Sequence, residues 1–264
     1  MREDDIVNIK NIKLKAKQNI RDFSYITNKD NYALLDNSFL RSNNINIFDK
    51  DDINFLKSNY NLKTIIDLRN KDEVVINPCK IDNIKYYNIP LFESRKRNTF
   101  SNSLRKQTVS KVPNIYEVYL DMIRTKTAKK QLKKIFKILM NQKNNCILFH
   151  CTFGKDRTGL ISLLLLSMLD VDIDTIKKDY LYSNNYLESI ADEKYKYYLE
   201  KSRNEEYALQ MRDIFLVKEE YIDYIIDYMI KENGSIIDYI KKELGVSEKR
   251  IVKFKNNVLY KIDK

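Results

Sequence analysis

The sequence predicts an α/β fold with a small, mostly parallel central sheet flanked by helices, and a helical C-terminal half. Two observations predict it. Short apolar segments typical of buried strands alternate with helical patterns as far as residue 150, and only helical patterns follow. At 264 residues the chain suits a single domain, with a core from about residue 15 to residue 260, better than two domains.

Each element rests on a local pattern. Strands are expected where apolar runs are short, at 37–41, 63–67, 84–88 and 146–150. Helices are expected near 50–58, 114–124, 127–142, 158–169, 173–182, 218–232, 235–243 and 247–257. Gly234 and Gly245 stand where helices should stop, and Ser235 and Ser247 stand where the next helices should start.

Composition narrows the class of protein. Hydrophobic residues make up 43% of the chain and charged residues 32%, which is typical of a soluble folded protein. No apolar stretch is long enough to span a membrane, and the N-terminus does not resemble a secretory signal. The chain has three cysteines, and Cys146 and Cys151 lie too far apart along a strand and its exit to form a disulfide with each other. We therefore expect a reducing compartment and a cytoplasmic protein.

The most informative segment is 150–159, which reads His-Cys-Thr-Phe-Gly-Lys-Asp-Arg-Thr-Gly. It joins strand 146–150 to helix 158–169 and contains the only histidine and two of the four glycines. A loop at this position lies beyond the carboxyl end of a strand, where open α/β sheets bind ligands. Its inward N–H groups and the N-terminus of the following helix are expected to form a site for a tetrahedral anion.

The side chains of this segment supply phosphoryl-transfer chemistry. A helix N-terminus favours the thiolate form of Cys151, which can attack phosphorus as a nucleophile. Arg157 can bind two phosphate oxygens with its guanidinium fork. Thr158 can donate its hydroxyl to the sulfur when the sulfur leaves, and His150 is better placed to organise the loop than to act as a base. The remaining residues of the segment are expected to contact substrate: Thr152, Phe153, Gly154 and Lys155.

The segment therefore predicts a cysteine-dependent phosphatase that needs no metal and no cofactor. The alternative is a buried structural cysteine beside an arginine that caps a helix. Three other classes of protein have loops of related composition. A phosphate-binding pseudophosphatase would keep the loop without turnover, although retention of Cys151, Arg157 and Thr158 argues against it. A sulfurtransferase loop is shorter, and a nucleotide hydrolase of the loop-lysine type is excluded because Asp156 follows Gly154-Lys155.

This segment resembles the loop of the tyrosine phosphatase superfamily, and above all that of bacterial tyrosine phosphatases with the pattern His-Cys-x-x-Gly-Lys-Asp-Arg-Thr-Gly. The resemblance covers roughly residues 15–260. It is carried by Asn-Ile-Arg-Asp at 19–22, Phe-Leu-Arg-Ser at 39–42, Ile-Ile-Asp-Leu-Arg at 65–69 with Glu73, Asp-Tyr-Leu-Tyr-Ser-Asn at 179–184, Gly-Ser at 234–235 and Leu-Gly-Val-Ser at 244–247. The resemblance implies hydrolysis of phosphate monoesters, most readily phosphotyrosine in proteins, by enzymes that look like a bridge to phosphoinositide phosphatases.

The resemblance also indicates the general acid. The chain has no tryptophan, so it lacks the Trp-Pro-Asp acid loop of larger tyrosine phosphatases. The family pattern points instead to Asp156, which would protonate the leaving oxygen. A salt bridge that shapes the loop is the alternative role for Asp156, and Glu93 is a second candidate acid. One departure from the family is Ser24-Tyr25, which replaces the usual glycine pair, so that turn must be built differently.

Asp67 and Arg69 follow strand 63–67, which puts them on the same rim as Cys151. In the family the corresponding aspartate supports the catalytic arginine. The resemblance therefore makes Asp67 the orienting partner of Arg157 and adds Arg69 to the substrate-binding residues. An aspartate at a strand end can equally cap a helix. The basic stretch 94–106 is expected to be either a lid over an anionic substrate or a solvated loop.

The net charge of +11 favours an acidic partner. Nucleic acid is not expected, because the lysines are spread along the chain without a binding motif. Phosphoinositides at a membrane surface fit better, since Lys155 adds charge beside the phosphate site. Lipid phosphatases of the superfamily, however, often carry a lysine where this chain has Thr152. The substrate therefore stays open among a phosphotyrosine protein, a phosphoserine protein and a phosphoinositide.

Overall fold

The computed structural model describes residues 12–15, 18–79, 81–92 and 114–262. The strands are β1 (Arg21–Asp22), β2 (Tyr32–Leu34), β3 (Phe39–Ser42), β4 (Leu62–Asp67), β5 (Lys85–Asn88), β6 (Cys146–His150) and β7 (Leu259–Lys261). A five-stranded sheet has the order β1–β3–β6–β4–β5, in which β1 is antiparallel to β3 and the other pairs are parallel. β2 and β7 form a separate antiparallel pair. The predicted mostly parallel sheet is confirmed.

Helices dominate the C-terminal half, as the sequence predicts. They are α1 (Lys50–Asn59), α2 (Lys71–Ile76), α3 (Ile115–Arg124), α4 (Lys126–Leu139), α5 (Asp156–Met168), α6 (Ile173–Leu181), α7 (Asn184–Ser202), α8 (Glu205–Phe215), α9 (Glu219–Asn233), α10 (Ile236–Leu244) and α11 (Glu248–Val258). Within the described ranges, no helix combines the length and the apolar character that a membrane crossing requires.

β6 is the central strand of the five-stranded sheet, and all five of its residues are buried. It pairs with β3 on one side and with β4 on the other, and Ser42 and Asp67 both lie opposite His150. Parallel strands end at the same edge of a sheet, so the chain leaves all three strands beside Cys151. The topology thus assembles one rim from segments that are distant in sequence.

The sheet separates two hydrophobic cores. Phe149 of β6 packs into the larger core, together with α3, α4, α5 and the C-terminal helices. The next side chain back, Leu148, packs into the smaller core with Ile53 and Leu56 of α1. Neighbouring side chains of a strand point to opposite faces, so one apolar strand serves both cores. α5 is apolar on every side, as expected for a helix covered by other elements.

The sequence does not predict α2, α7 or α8. α7 buries only Leu187 and Ala191 among its 19 residues, so no apolar stripe marks it as a helix. It ends at Arg203, whose backbone is left-handed (φ 50°), and it packs along α8. α2 has six residues and leaves Val75 79% exposed. The predicted helices and the four predicted strands are present, with boundaries that differ by three residues or fewer.

The turn after β1 shows how the chain manages without the glycine pair. Residues 23–25 form one turn of 3-10 helix, and the side chain of Asp22 accepts a hydrogen bond from the N–H of Ser24 (3.0 Å). The hydroxyl of Tyr25 donates to the Asp179 carboxylate (2.8 Å). The residue that replaces the second glycine therefore ties this turn to α6.

Candidate active site

Gly154 sets the shape of residues 150–159, called the site loop below. It has a φ of +69°, in the left-handed region that favours glycine. A Cβ at this position would lie 2.7 Å from backbone atoms of Ser42 and Asn43, closer than real Cβ atoms approach. Any side chain here would therefore push the site loop away from the end of β3. Cys151, the second residue of the site loop, is 2% exposed.

Three consecutive carbonyl groups of the site loop, those of residues 152–154, are tied from outside. The N–H of Asn44 donates to the first (3.1 Å), the amide of Asn19 donates to the second (2.9 Å), and the guanidinium of Arg41 donates to the third (2.8 Å). In a trans peptide the following N–H points away from the carbonyl. The N–H groups of residues 153–155 therefore point toward the inside of the loop, as an anion site requires.

Arg157 is held by Glu73. Its two terminal nitrogens donate to the two oxygens of the Glu73 carboxylate, at 2.7 and 3.0 Å. The Thr152 hydroxyl donates to the same carboxylate (2.5 Å), and the N–H of Asn70 does so as well (2.9 Å). Burial opposes ionisation of Glu73, but Arg157 outweighs burial and lowers the pKa of this carboxyl to about 2. The structure thus places Glu73 against Arg157, in the position that the sequence assigned to Asp67.

Asp67 is the last residue of β4, and its carboxylate binds Arg69 and Tyr86. The guanidinium of Arg69 donates to both oxygens of Asp67 (2.7–3.1 Å), and the hydroxyl of Tyr86 donates to one of them (2.7 Å). Burial lowers the pKa of His150, so its ring is neutral at neutral pH. Its approach to Asp67, at 3.7 Å, is therefore not an ion pair, and its other nitrogen lies 3.2 Å from the carbonyl of Cys151. His150 and Asp67 are both fully buried at the ends of their strands.

Asp156 is the first residue of α5, and 22% of its side chain is exposed. One carboxylate oxygen accepts from the Tyr119 hydroxyl (2.5 Å), and the ammonium of Lys155 also contacts the carboxylate (2.8 Å). The hydroxyl of Tyr119 lies 2.5 Å from that of Tyr180. These contacts fix Asp156 at the mouth of the site loop. The ammonium of Lys155 therefore pairs with Asp156 within the protein, because Lys155 is only 1% exposed.

Two further side chains of the site loop, Thr158 and Phe153, have contrasting environments. The Thr158 hydroxyl is buried and has no hydrogen-bond partner among the described residues, so it is free to donate to a group placed in the loop. The ring of Phe153 instead packs edge-on against Phe215 of α8, with centroids 5.5 Å apart. Phe153 therefore anchors the site loop to the helical half and contributes its backbone N–H to the interior.

Comparison with known proteins identifies the family of this chain. The profile of the tyrosine phosphatase family matches residues 12–260. The chain belongs to the tyrosine phosphatase family. The observed α/β fold with its mostly parallel sheet is consistent with this membership.

Individual relatives match shorter parts. A tyrosine-protein phosphatase of Nostoc commune is 34% identical over 130 residues, which are 48% of this chain and 42% of the relative. A relative from Cupriavidus necator is 56% identical over 43 residues, 16% of each chain. The chain thus spans less than half the length of these relatives. The crystal structure of P. aeruginosa TpbA in complex with pTyr is similar over 57% of this chain and 72% of TpbA, with a TM-score of 0.34 and 12% identity. A similarity this low does not bear on fold or function.

Within this member of the tyrosine phosphatase family, the fold brings most of the expected residues to one place. Residues 150–158 form the site loop and the start of α5, with Asp67 and Arg69 beside them. Two expectations, Glu93 and the stretch 94–106, lie outside the described residues. The sequence missed the role of Glu73 and the part played by Arg21 and Arg41. A signal did exist for the arginines, because a charged side chain inside a short apolar strand indicates a buried ion pair.

Proposed function

We propose that this protein hydrolyses phosphate monoesters, most readily phosphotyrosine in proteins, through a phosphocysteine intermediate. The observation that carries the proposal is the combination of Cys151 with the inward N–H groups of residues 153–155 and with Arg157 held by Glu73. A thiolate nucleophile and preorganised donors for a tetrahedral anion are the two requirements of this chemistry. The loop also leads into α5, which begins at Asp156, and the N-terminus of a helix favours negative charge.

In the first step the Cys151 thiolate attacks phosphorus, a sulfur–phosphorus bond forms, and the bond from phosphorus to the tyrosine oxygen breaks. Asp156 is the proposed general acid, which gives a proton to the leaving oxygen. Arg157 binds two phosphoryl oxygens; its weakest present contacts, to the carbonyl of Leu68 (3.4 Å) and the hydroxyl of Thr152 (3.2 Å), are the ones that phosphate would replace. The Glu73 contacts keep the guanidinium in place meanwhile.

In the second step water attacks the phosphocysteine, and the Asp156 carboxylate takes a proton from the water. The sulfur–phosphorus bond breaks, inorganic phosphate forms and Cys151 leaves as a thiolate. The hydroxyl of Thr158, which has no hydrogen-bond partner in the described part of the chain, can donate to this sulfur as its charge develops. Each of these groups acts without a metal.

The surroundings of Lys155 favour a phosphoprotein over a phosphoinositide. A lipid headgroup with several phosphates needs cations beyond those that hold the reacting phosphate. Lys155 is the loop residue that could have supplied one, but it is buried and its ammonium contacts Asp156. Phosphoinositide hydrolysis is therefore the second candidate, and the same experiment decides between them.

The test is release of phosphate in EDTA from phosphotyrosine peptides, phosphoserine peptides and phosphoinositide vesicles. Wild type, Cys151→Ser and the control Cys79→Ser would be compared, since Cys79 is a half-buried free cysteine outside the site loop. We expect turnover of phosphotyrosine by wild type and Cys79→Ser and none by Cys151→Ser. Faster release from vesicles would replace the substrate assignment. Phosphate binding without release by wild type would show a phosphate-binding protein and overturn the enzymatic proposal.

A further inference from the structure

A buried group of charged and polar side chains supports the site loop from the side of β3. We call it the loop-support cluster; its members are Asn19, Arg21, Arg41 and Asp179. Arg21 of β1 and Arg41 of β3 are register partners, so their side chains lie side by side on one face of the sheet. Asp179 of α6 lies against both. The three charged side chains are at most 1% exposed, so none of them can touch a substrate.

Asp179 is the centre of the cluster. Its carboxylate accepts from the Nε of Arg21 (2.6 Å), from the Tyr25 hydroxyl (2.8 Å) and from Arg41. Arg21 also donates to the Asp179 backbone carbonyl (2.5 Å). Burial opposes ionisation of Asp179, but the charges of Arg21 and Arg41 outweigh it and hold the pKa of the carboxyl below its usual value. Asp179 therefore stays ionised and fixes both guanidinium groups.

Two chains of hydrogen bonds run from Asp179 to the site loop. In one, Arg41 donates with its second terminal nitrogen to the carbonyl of Gly154 (2.8 Å). In the other, Arg21 donates to the side-chain oxygen of Asn19 (2.6 Å), which turns the Asn19 amide toward the carbonyls of Phe153 (2.9 Å) and Gly154 (3.3 Å). Both chains end on the peptide groups whose N–H ends face the loop interior.

A purely structural role explains this arrangement poorly. Burying ions is costly, and well-packed apolar side chains usually stabilise a core as well as a buried ion pair does. The contacts, moreover, hold two guanidinium groups against one carboxylate, and both groups reach the site loop, Arg41 directly and Arg21 through Asn19. At a site for a dianion, a fixed peptide orientation is useful, because donors that are already oriented need no reorganisation.

We propose that Asn19 and Arg41, held by Asp179 and Arg21, are positioning residues that set the peptide orientation of the site loop and thereby its affinity for a phosphoryl group. The proposal rests on the function proposed above and names residues outside the site loop that this function requires. It differs from a structural role in one respect. Loss of these hydrogen bonds should weaken phosphate binding in protein that is still folded.

The experiment measures binding of inorganic phosphate by calorimetry in the Cys151→Ser background, with a thermal melt for each variant. Asn19→Asp removes the amide donor, nearly preserves shape and still offers Arg21 an acceptor. Arg41→Lys keeps the charge but cannot bridge Asp179 and the carbonyl of Gly154 with one planar fork. The matched control is Tyr239→Phe, which removes another buried hydrogen bond, from the Tyr239 hydroxyl to the carbonyl of Ile123 (2.7 Å).

We expect Asn19→Asp and Arg41→Lys to bind phosphate about 10- to 100-fold more weakly, because small misplacements of binding groups have effects of this size. With Cys151 restored, KM for a phosphotyrosine peptide should rise in the same variants, whereas Tyr239→Phe should bind like its parent. If folded Asn19→Asp binds phosphate like its parent, the positioning role is wrong even if Arg41→Lys fails to fold. If the parent itself neither binds phosphate nor, with Cys151, releases it, the proposed function is wrong, and the inference fails with it.

Discussion

Among the guanidinium–carboxylate groups around the site loop, the two that contact it directly from the β4 side and the β3 side differ in charge balance and in exposure. On the β4 side, Arg157 and Glu73 match one charge with one charge, and their side chains are 11% and 9% exposed. On the β3 side, Arg21 and Arg41 share Asp179, and all three are at most 1% exposed. The first pair keeps access to the ligand, while the second acts only through the backbone. Exposure thus separates a guanidinium that can bind phosphate from two that can only shape the loop.

The difference also predicts how each group responds to loss of a partner. Arg157 without Glu73 still reaches solvent, so its charge keeps some hydration. Arg21 and Arg41 without Asp179 would face each other in a fully buried space, which is strongly unfavourable. Changes on the β4 side should therefore affect activity first, and changes on the β3 side should affect both stability and the loop.

The largest effect on activity is expected for Arg157→Lys. A lysine carries the charge but has no fork, so it cannot hold Glu73 and two phosphate oxygens together. We expect kcat/KM for a phosphotyrosine peptide to fall by roughly 100- to 1000-fold, the range for loss of a preorganised transition-state donor. The control is Arg124→Lys on α3, where the arginine pairs with Glu117 and Asp121 at the surface. Equal activity of Arg157→Lys and wild type would contradict the proposed binding of two phosphoryl oxygens by Arg157.

The largest effect on stability is expected for Asp179→Asn, measured as the free energy of unfolding in urea. Removing one partner from a buried ion group typically costs about 3–5 kcal/mol, because the remaining charge is left without compensation. The comparison is Asp213→Asn, whose carboxylate pairs with Lys218 at the surface and is 46% exposed. Exposed pairs contribute up to about 1 kcal/mol. Similar small losses in the two variants would mean that Asp179 does not hold the arginines as described.

Local pattern was enough for those parts of the fold that consist of continuous apolar sequence. β6 has the predicted bounds, 146–150, because each of its side chains is buried and the run stops at the loop. α7 could not be recognised, since it buries only Leu187 and Ala191 and its remaining surface is polar. Pattern reports burial, so an element held mainly by one neighbouring helix leaves little trace in it.

The site was predictable where its residues adjoin in sequence and unpredictable where they meet across the fold. Residues 150–158 could be assigned together, because their chemistry and spacing belong to one turn. The partner of Arg157 could not, because Glu73 is 84 positions away and enters through the short helix α2. Asp67 was expected to be the partner of Arg157 because it lies at the end of its strand. The sequence gives no sign that Arg69 and Tyr86 donate hydrogen bonds to its carboxylate instead.

The smallest expected effect concerns pH and isolates the contribution of Glu73. Its folded-state pKa of about 2 lies below the ordinary value of 4.5, so its ionic contribution is present above about pH 4.5 and is lost as pH falls toward 2. Glu73→Gln should therefore be less stable than wild type at neutral pH, on the order of 1–3 kcal/mol. That difference should shrink on acidification, because protonated Glu73 resembles glutamine.

Urea unfolding of both proteins from neutral pH to about pH 3 measures this convergence. The control is Glu243→Gln, since Glu243 pairs with Lys129 but is 32% exposed and should contribute little at any pH. A difference between wild type and Glu73→Gln that stays constant with pH would mean that Glu73 acts through shape or neutral hydrogen bonds. On the β4 side, ion pairing would then contribute little to stability. On the β3 side it would still contribute, so the two sides would differ in the kind of interaction that stabilises them as well as in exposure.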